Sequence, residues 1–542
     1  MMSHAVALKG SGELQRKYRR KPRAAYMSIW CRGKPITHEE LFHYTNGRFL
    51  ADEKNQFDRR YVKFNLQALC DVAAAAGDTT SSITTIEKLE GGFSKALLMT
   101  KKDGHKVIAK IPCRIAGPAF VTTASEVGVL EYLKRYTTIP VPRVFSWYSD
   151  SFNPVGAEYI VMEKAPGVPL FERRGKMLDI EKLELIKQLT QLEAQLLAMR
   201  FPAYGGLFLR SDSGRFERCR ELQDSLFCVG PSPERSFAEP TSFQGPWDAL
   251  SDLGVAIANR EISRIKSRPE HKKPSPTCAL LEMVTGVMKR LDLNPVLAQV
   301  SQPTLWHTDL HMGNIFVDPA DNSRITTLID VQSQSILPLF LQAQWPVFLK
   351  PPHNYPQGIV QPQLPVDFET YKDNEKAAAR QEWEQAKAAK AYEVSTILQN
   401  KIANKAMNIP RVFRELFIRA GEASDVASGA VPLRECLIEI FQNWADLGFT
   451  GDCPYSFSKE EISMHEQEFA DYREWNDLQQ AVMQALDTDA EGWVAPQVDF
   501  EMRKRQNREL LDLYLKEVKA SGEMSTKQGR SMWPFPMETV VV

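Results

Sequence analysis

The chain has 542 residues, 43% hydrophobic, 25% charged and 10% aromatic, with 67 Lys and Arg against 68 Asp and Glu. This composition excludes disorder over most of the length, and a net charge of −1 gives nucleic-acid binding no support. No uninterrupted apolar run of about 18 residues occurs, so no membrane span is expected, and at roughly 150 residues per domain the length allows about three to four units.

The N-terminus departs from the overall charge balance. Residues 1–27 carry seven basic residues (Lys9, Arg16, Lys17, Arg19, Arg20, Lys21 and Arg23) and one acid, Glu13. The stretch lacks the apolar core of a secretory signal, and a basic, acid-poor start is the pattern of an organelle transit peptide. A disordered basic tail is the alternative. We therefore expect a presequence within residues 1–35. The eight cysteines form no C-x-x-C pair, which argues against a disulfide scaffold and against a cysteine zinc site.

Strand patterns come next. Residues 83–89 and 95–100 read as two strands around Glu90-Gly91-Gly92-Phe93-Ser94, and 106–111 as a third. Residues 123–136 read as a helix, because Thr123 and Glu126 have capping-box spacing. Strands at 143–148 and 157–163 follow across an Asn-Pro-Val-Gly turn. Pro166, Gly167 and Pro169 then break the chain. Residues 180–199 form an amphipathic helix, with Ile180, Leu183, Ile186, Leu189, Leu192 and Leu196 at helical spacing. Prolines and glycines make 228–247 a loop that is either a lid or a passive connector. A second proline-rich break covers 350–367. Residues 374–394 form a solvated or amphipathic helix.

One run carries chemistry. Trp306-His307-Thr308-Asp309-Leu310-His311-Met312-Gly313-Asn314 has the form H-x-D-x-x-x-x-N. Residues 315–317 and 325–329 then read as a hairpin closed by Asp318 to Arg324. Asn314 precedes one strand and Asp330 follows the other, so both lie at the same open end. A carboxylate and an amide oxygen side by side are hard ligands suited to Mg²⁺. Asp309, in the preceding loop, is placed to take a proton from a hydroxyl nucleophile. Phosphoryl transfer needs such a base, metal ligands and a cation on the phosphates. Lys110, in the strand Val107-Ile108-Ala109-Lys110, is the candidate cation. A lysine in an apolar strand calls for a partner. Glu126 is the natural one, with Glu131 on the same helix as a competitor. Gly91 and Gly92 either leave room for a triphosphate or make a plain hairpin turn.

Taken together, Gly-rich turn, strand lysine, helix glutamate, hinge, H-x-D-x-x-x-x-N and hairpin aspartate resemble the protein-kinase-like fold in its aminoglycoside phosphotransferase and choline kinase version. There is no H-R-D, no D-F-G and no A-P-E, whereas His311 and Gly313 are typical of the small-molecule branch. The strings at 91–95, 108–112, 123–127, 153–159 and 338–343 further resemble fungal mitochondrial proteins of the altered inheritance of mitochondria protein 9 type. The resemblance covers about residues 36–520.

The resemblance implies an α+β, two-lobed fold, with an N-lobe of antiparallel sheet and one main helix over 36–164 and a mostly helical C-lobe over 165–542. It implies ATP and Mg²⁺ as co-substrate and cofactor, and a mitochondrial location. Asp309 would be the catalytic base, and Asn314 and Asp330 would bind the metal. Lys110 would hold the nucleotide phosphates and pair with Glu126. Gly91 and Gly92 would cover the phosphates. Glu163, Lys164 and Ala165 would form the adenine hinge, and His307 would brace the catalytic loop. The acceptor, a small molecule with a hydroxyl, is not identified, and no protein partner is inferable. A nucleotide-binding pseudo-kinase is the alternative function.

Overall fold

The computed structural model describes residues 27–536, apart from 224–225, 240, 269–274, 354, 426–428 and 523. The seven basic residues of 1–27 lie outside the described residues, whereas Arg32 and Lys34 of the expected presequence lie inside them. Strands β1 (Ser28–Cys31) and β2 (Lys34–Pro35) are already part of the first sheet, so the N-lobe begins ahead of the boundary expected at 36.

After β3 (Arg48–Phe49) and helices α1 (Glu53–Arg60) and α2 (Leu66–Ala75) come β4 (Ile83–Lys88), β5 (Ser94–Lys101) and β6 (Lys106–Pro112). Helix α3 (Val121–Tyr136), β7 (Val144–Tyr148) and β8 (Tyr159–Glu163) complete the lobe. The sheet has the order β2-β1-β4-β5-β6-β8-β7. Only β1 and β4 run parallel in it. Side chains alternate across a strand. Val107, Ala109 and Ile111 therefore share a core with Leu69 and Ala73 of α2, while Ile108 turns to the opposite face, where Val127 of α3 packs with Ile160 and Met162. Lys110 has the parity of Ile108 and so faces α3.

Helix α3 starts earlier than the sequence suggested, and its cap is not the Thr123–Glu126 box. Residue Phe120 is the N-cap, and the Glu158 carboxylate accepts from its N–H at 3.0 Å and from the Thr123 hydroxyl at 2.6 Å. That frees Glu126 for another partner. Gly128 lets α3 press onto the strand Gly206–Leu209. A Cβ there would stand 2.4 Å from the Leu207 carbonyl oxygen.

The C-lobe is mostly helical. The helix Asp179–Ala198 buries Leu185, Ile186, Leu189, Leu192 and Leu196, but its first two apolar positions, Ile180 and Leu183, are exposed. Its start is held by the Glu181 carboxylate, which accepts from the Leu178 N–H. Helices Leu250–Ser267, Pro276–Met288, Arg411–Glu422 and Ala430–Gln442 share one core with it. The segment 228–247 is not wholly a loop, since Phe227–Gly230 forms a buried strand against Gly206–Leu209. The expected helix at 374–394 spans Asp373–Gln399. Among the described residues no helix is long and apolar enough to cross a membrane.

The end of the chain returns to the N-lobe. Strand Trp493–Val494 pairs with β3, and Glu491 meets Arg60 of α1 at 2.6 Å. The expected division into 36–164 and 165–542 therefore misses a C-terminal piece that belongs spatially to the first lobe.

Candidate active site

The hairpin forms as expected, with strands Ile315–Val317 and Ile325–Leu328 in antiparallel register. The Ile329 N–H donates to the Asn314 carbonyl oxygen at 3.0 Å, so the pairing runs to the end of the hairpin and sets Asn314 beside Asp330. Asn314 is buried, and its Nδ2 donates to the Asp309 carbonyl oxygen at 2.9 Å. This ties the catalytic-loop candidate to the metal-ligand candidate. The Asp309 carboxylate itself is exposed.

Lys110 crosses between the lobes. Its ammonium donates to Glu126 Oε1 at 2.7 Å and to Asp330 Oδ1 at 2.8 Å. Glu126 is thus the partner in α3, and Glu131 is not. Burial disfavours the ammonium, yet Asp330 and Glu126 outweigh it and raise the Lys110 pKa above its ordinary value. Burial likewise pushes the Asp330 carboxyl up, but Lys110 prevails and holds it below the usual range. Glu126, buried deeper, is pushed up by loss of water against the pull of Lys110.

His307 is buried, and its Nε2 lies 3.0 Å from the Ile329 carbonyl oxygen, next to Asp330. Burial lowers its pKa. A neutral ring at that place braces the loop against the hairpin. Asp330 itself has φ 63°, a left-handed conformation that an L-residue adopts only when its surroundings enforce it.

The donor set fits Mg²⁺. Among the described residues no group donates to Asn314 Oδ1 or to the second Asp330 oxygen, so two hard oxygens remain open.

The Gly91–Gly92 turn is pinned at several points. The Glu90 carboxylate is buried and accepts from Thr45 and from Lys95 at 2.6 Å. Arg60 Nε donates to the Gly92 carbonyl oxygen at 3.1 Å, and Ser94 Oγ donates to Gln332 at 2.8 Å. Neither glycine has a positive φ, and a Cβ on Gly92 would meet nothing within 4 Å. The space beside Gly92 is therefore open rather than filled by protein. At the hinge, the Glu163 N–H donates to the Arg143 carbonyl oxygen at 2.8 Å and is spent. The Ala165 N–H makes no hydrogen bond among the described residues, and its carbonyl oxygen accepts from Lys164 Nζ at 3.1 Å.

Arg60 and Glu491 were not foreseeable as part of this site. They lie 431 residues apart, and no local pattern links them. Asp330 as a second partner of Lys110 was equally hidden, because the sequence offers only the nearer acids of the helix, Glu126 and Glu131.

The profile of the phosphotransferase enzyme family (APH) matches residues 85–333. A subtelomeric hrmA-associated cluster protein of Aspergillus fumigatus is 30% identical over 499 residues, covering 82% of this chain and 95% of that protein. The mitochondrial altered inheritance of mitochondria protein 9 of Yarrowia lipolytica is 24% identical over 535 residues, covering 89% and 88%. The solved streptomycin-ATP-APH(2")-IIa ternary complex overlaps 71% of this chain and 98% of that chain at 13% identity, with a TM-score of 0.36. Related at 30% identity over 82% of its length to that Aspergillus fumigatus protein, and matched by the family profile over residues 85–333, the chain belongs to the phosphotransferase enzyme family.

Proposed function

We propose that this protein transfers the γ-phosphoryl group of ATP, with Mg²⁺, to the hydroxyl of a small molecule in the mitochondrion. The observation that carries the reading is the junction at Lys110, whose ammonium sits between Glu126 and Asp330 at 2.7 and 2.8 Å. That junction joins the sheet, α3 and the metal-ligand hairpin into one charged unit across the lobe boundary.

In this reading the acceptor oxygen attacks the γ-phosphorus in line. Its proton passes to the Asp309 carboxylate, the bond from the γ-phosphorus to the bridging oxygen breaks, and ADP leaves. Asn314 holds the backbone of Asp309 and so keeps the base in place. Lys110 lies against the phosphates and offsets their charge. Mg²⁺, held by Asn314 and Asp330, would supply further neutralisation of the leaving diphosphate. Among the described residues no three His, Cys, Asp or Glu side chains are grouped to hold an ion alone. Phosphate oxygens would therefore share in the coordination, as they do for Mg²⁺ generally. Glycines 91 and 92 leave the space a triphosphate requires, and the free Ala165 N–H is available to adenine. The mitochondrial location is supported by the basic N-terminus and by the name of the Yarrowia lipolytica relative.

The test is an acceptor screen by ADP release, run on the wild type and on Asp309→Asn. Turnover with one class of alcohol, lost in the variant, supports the reading. Equal turnover by the variant removes Asp309 as the base.

A nucleotide-binding module without transfer is the second reading. What favours it is the pinning of the Gly turn by Arg60 and by the Ser94–Gln332 hydrogen bond. Tight ATP binding with no transfer to any acceptor or to water is the outcome it requires.

A further inference from the structure

A cavity of about 1180 Å³ opens beside the Gly turn. Its walls come from the end of α1, from Phe93 at the tip of the turn, from residues 114–117 leading into α3, and from 235–239 with the helix Leu250–Ser267 behind them. Four arginines line it: Arg59, Arg114, Arg235 and Arg264.

Arg264 is occupied. It donates to Glu261 Oε1 at 2.8 Å and to the Glu239 carbonyl oxygen through two nitrogens. The other three make no ion pair and no hydrogen bond among the described residues. Three acids also line the cavity, Asp58, Glu239 and Glu491, and Glu491 is spent on Arg60. The free cations therefore outnumber the free carboxylates.

Arg235 is the most informative of them. Its guanidinium carbon lies over the Phe93 ring, 3.7 Å from the centroid, and its N–H groups make no hydrogen bond among the described residues. Burial pulls its pKa below the ordinary value, and the charges of Glu491 and Asp309 reach it. An arginine that is partly withdrawn from water, oriented by an aromatic ring and left without a carboxylate suits the bidentate recognition of phosphate or carboxylate. A cationic acceptor would meet uncompensated like charge here.

We propose that this cavity is the acceptor subsite, and that Arg235, with Arg114 and Arg59, holds a phosphate or carboxylate carried by the hydroxyl-bearing acceptor. The inference rests on the phosphotransferase reading above. It narrows the acceptor to an anionic alcohol, for example a sugar phosphate or a hydroxy acid by chemical class. It also assigns Arg235 to specificity, because an arginine between the tip of the Gly turn and the catalytic-base candidate would set which hydroxyl comes within reach of Asp309.

The same chemistry could be met by a phosphate of the nucleotide, and the test separates the two. Full-length protein is saturated with ADP and Mg²⁺ and titrated calorimetrically with inorganic phosphate, and separately with tetramethylammonium. The wild type, Arg114→Gln, Arg235→Gln and Asp330→Ala are compared. Neither arginine side chain makes an ion pair or hydrogen bond among the described residues, so those variants should keep the wild-type melting temperature. The expected result is phosphate binding by the wild type in the presence of ADP, weakened about tenfold or more by either arginine substitution, with ADP affinity unchanged. Phosphate binding that survives both arginine substitutions overturns the subsite. So does phosphate binding lost only in Asp330→Ala, which places the anion with the nucleotide, and so does binding of tetramethylammonium in its stead. No ADP binding by the wild type overturns the phosphotransferase reading itself, and the acceptor role falls with it.

Discussion

Lys110 and Asp330 are 220 residues apart in sequence, yet their ammonium and carboxylate meet at 2.8 Å across the two lobes. The strand β6 aims the lysine at α3, and the hairpin Ile315–Leu328 delivers the aspartate at its open end. Glu126 completes the junction from α3. Three elements, the strand, α3 and the hairpin, therefore meet at one ammonium group.

Removal of that ammonium should be costly. Lys110→Met leaves Glu126 buried with no counter-charge, and a broken buried pair costs about 3–5 kcal/mol. Glu126→Gln should cost less, because the lysine keeps Asp330. A double-mutant cycle by urea unfolding should give a coupling between positions 110 and 126 of about 1–3 kcal/mol. Strict additivity of the two substitutions would contradict the pairing.

Asp309 is exposed and lies outside the ion-pair junction, so its substitution should leave the fold intact. Asp309→Asn should lower turnover by about 10²–10⁴-fold, the range typical of a lost general base, with ATP affinity retained. A parallel loss of ATP binding would point to a role on the nucleotide instead.

At Gly128 the helix α3 lies so close to the strand Gly206–Leu209 that a Cβ would stand 2.4 Å from the Leu207 carbonyl oxygen. A methyl group there has to displace the Leu207 backbone. Gly128→Ala should destabilise the protein by about 1–3 kcal/mol and should weaken ATP binding by shifting Glu126 along with α3. Gly92→Ala is the contrast, because its Cβ meets no protein atom. It should melt like the wild type while raising the KM for ATP. An unchanged KM would remove the turn from the phosphate site.

One buried acid sets a pH dependence. Glu193 in the helix Asp179–Ala198 accepts from the Tyr392 hydroxyl at 3.0 Å, and burial lifts its carboxyl from 4.5 to about 8. The folded state thus holds this proton more tightly than the unfolded chain. Its contribution to stability is fully present below about pH 4.5 and is lost as pH rises through about 8. Glu193→Gln should abolish this fall, so the variant should gain in melting temperature relative to the wild type between about pH 5 and about pH 9. A constant difference across that range would contradict the buried, protonated acid.

Much of the site was legible because its chemistry is local. His307, Asp309 and Asn314 share one loop, and the turn residues Asp318 to Arg324 announce the hairpin that brings Asp330 back beside Asn314. A lysine inside an apolar strand likewise called for an acidic partner, and Glu126 is one. The Thr123–Glu126 spacing misled for a physical reason. The same two residue types serve a cap in one setting, and here Glu158 from the β7–β8 connection caps α3 while Glu126 pairs with the lysine. Ile180 and Leu183 misled because helical periodicity reports a face and not whether anything covers its first turn. Arg60, Glu491 and Arg235 were hidden because their roles arise from contacts between distant segments.

The most direct measurement is the binding of ATP by calorimetry, with and without Mg²⁺, on the wild type and on Asp330→Ala. The expected result is Mg²⁺-dependent binding by the wild type, lost or strongly weakened in the variant, because Asp330 anchors Lys110 and, on the proposed function, would also supply a metal oxygen. Wild-type protein that binds no ATP, or variant protein that binds it equally well with the same Mg²⁺ dependence, would contradict the account.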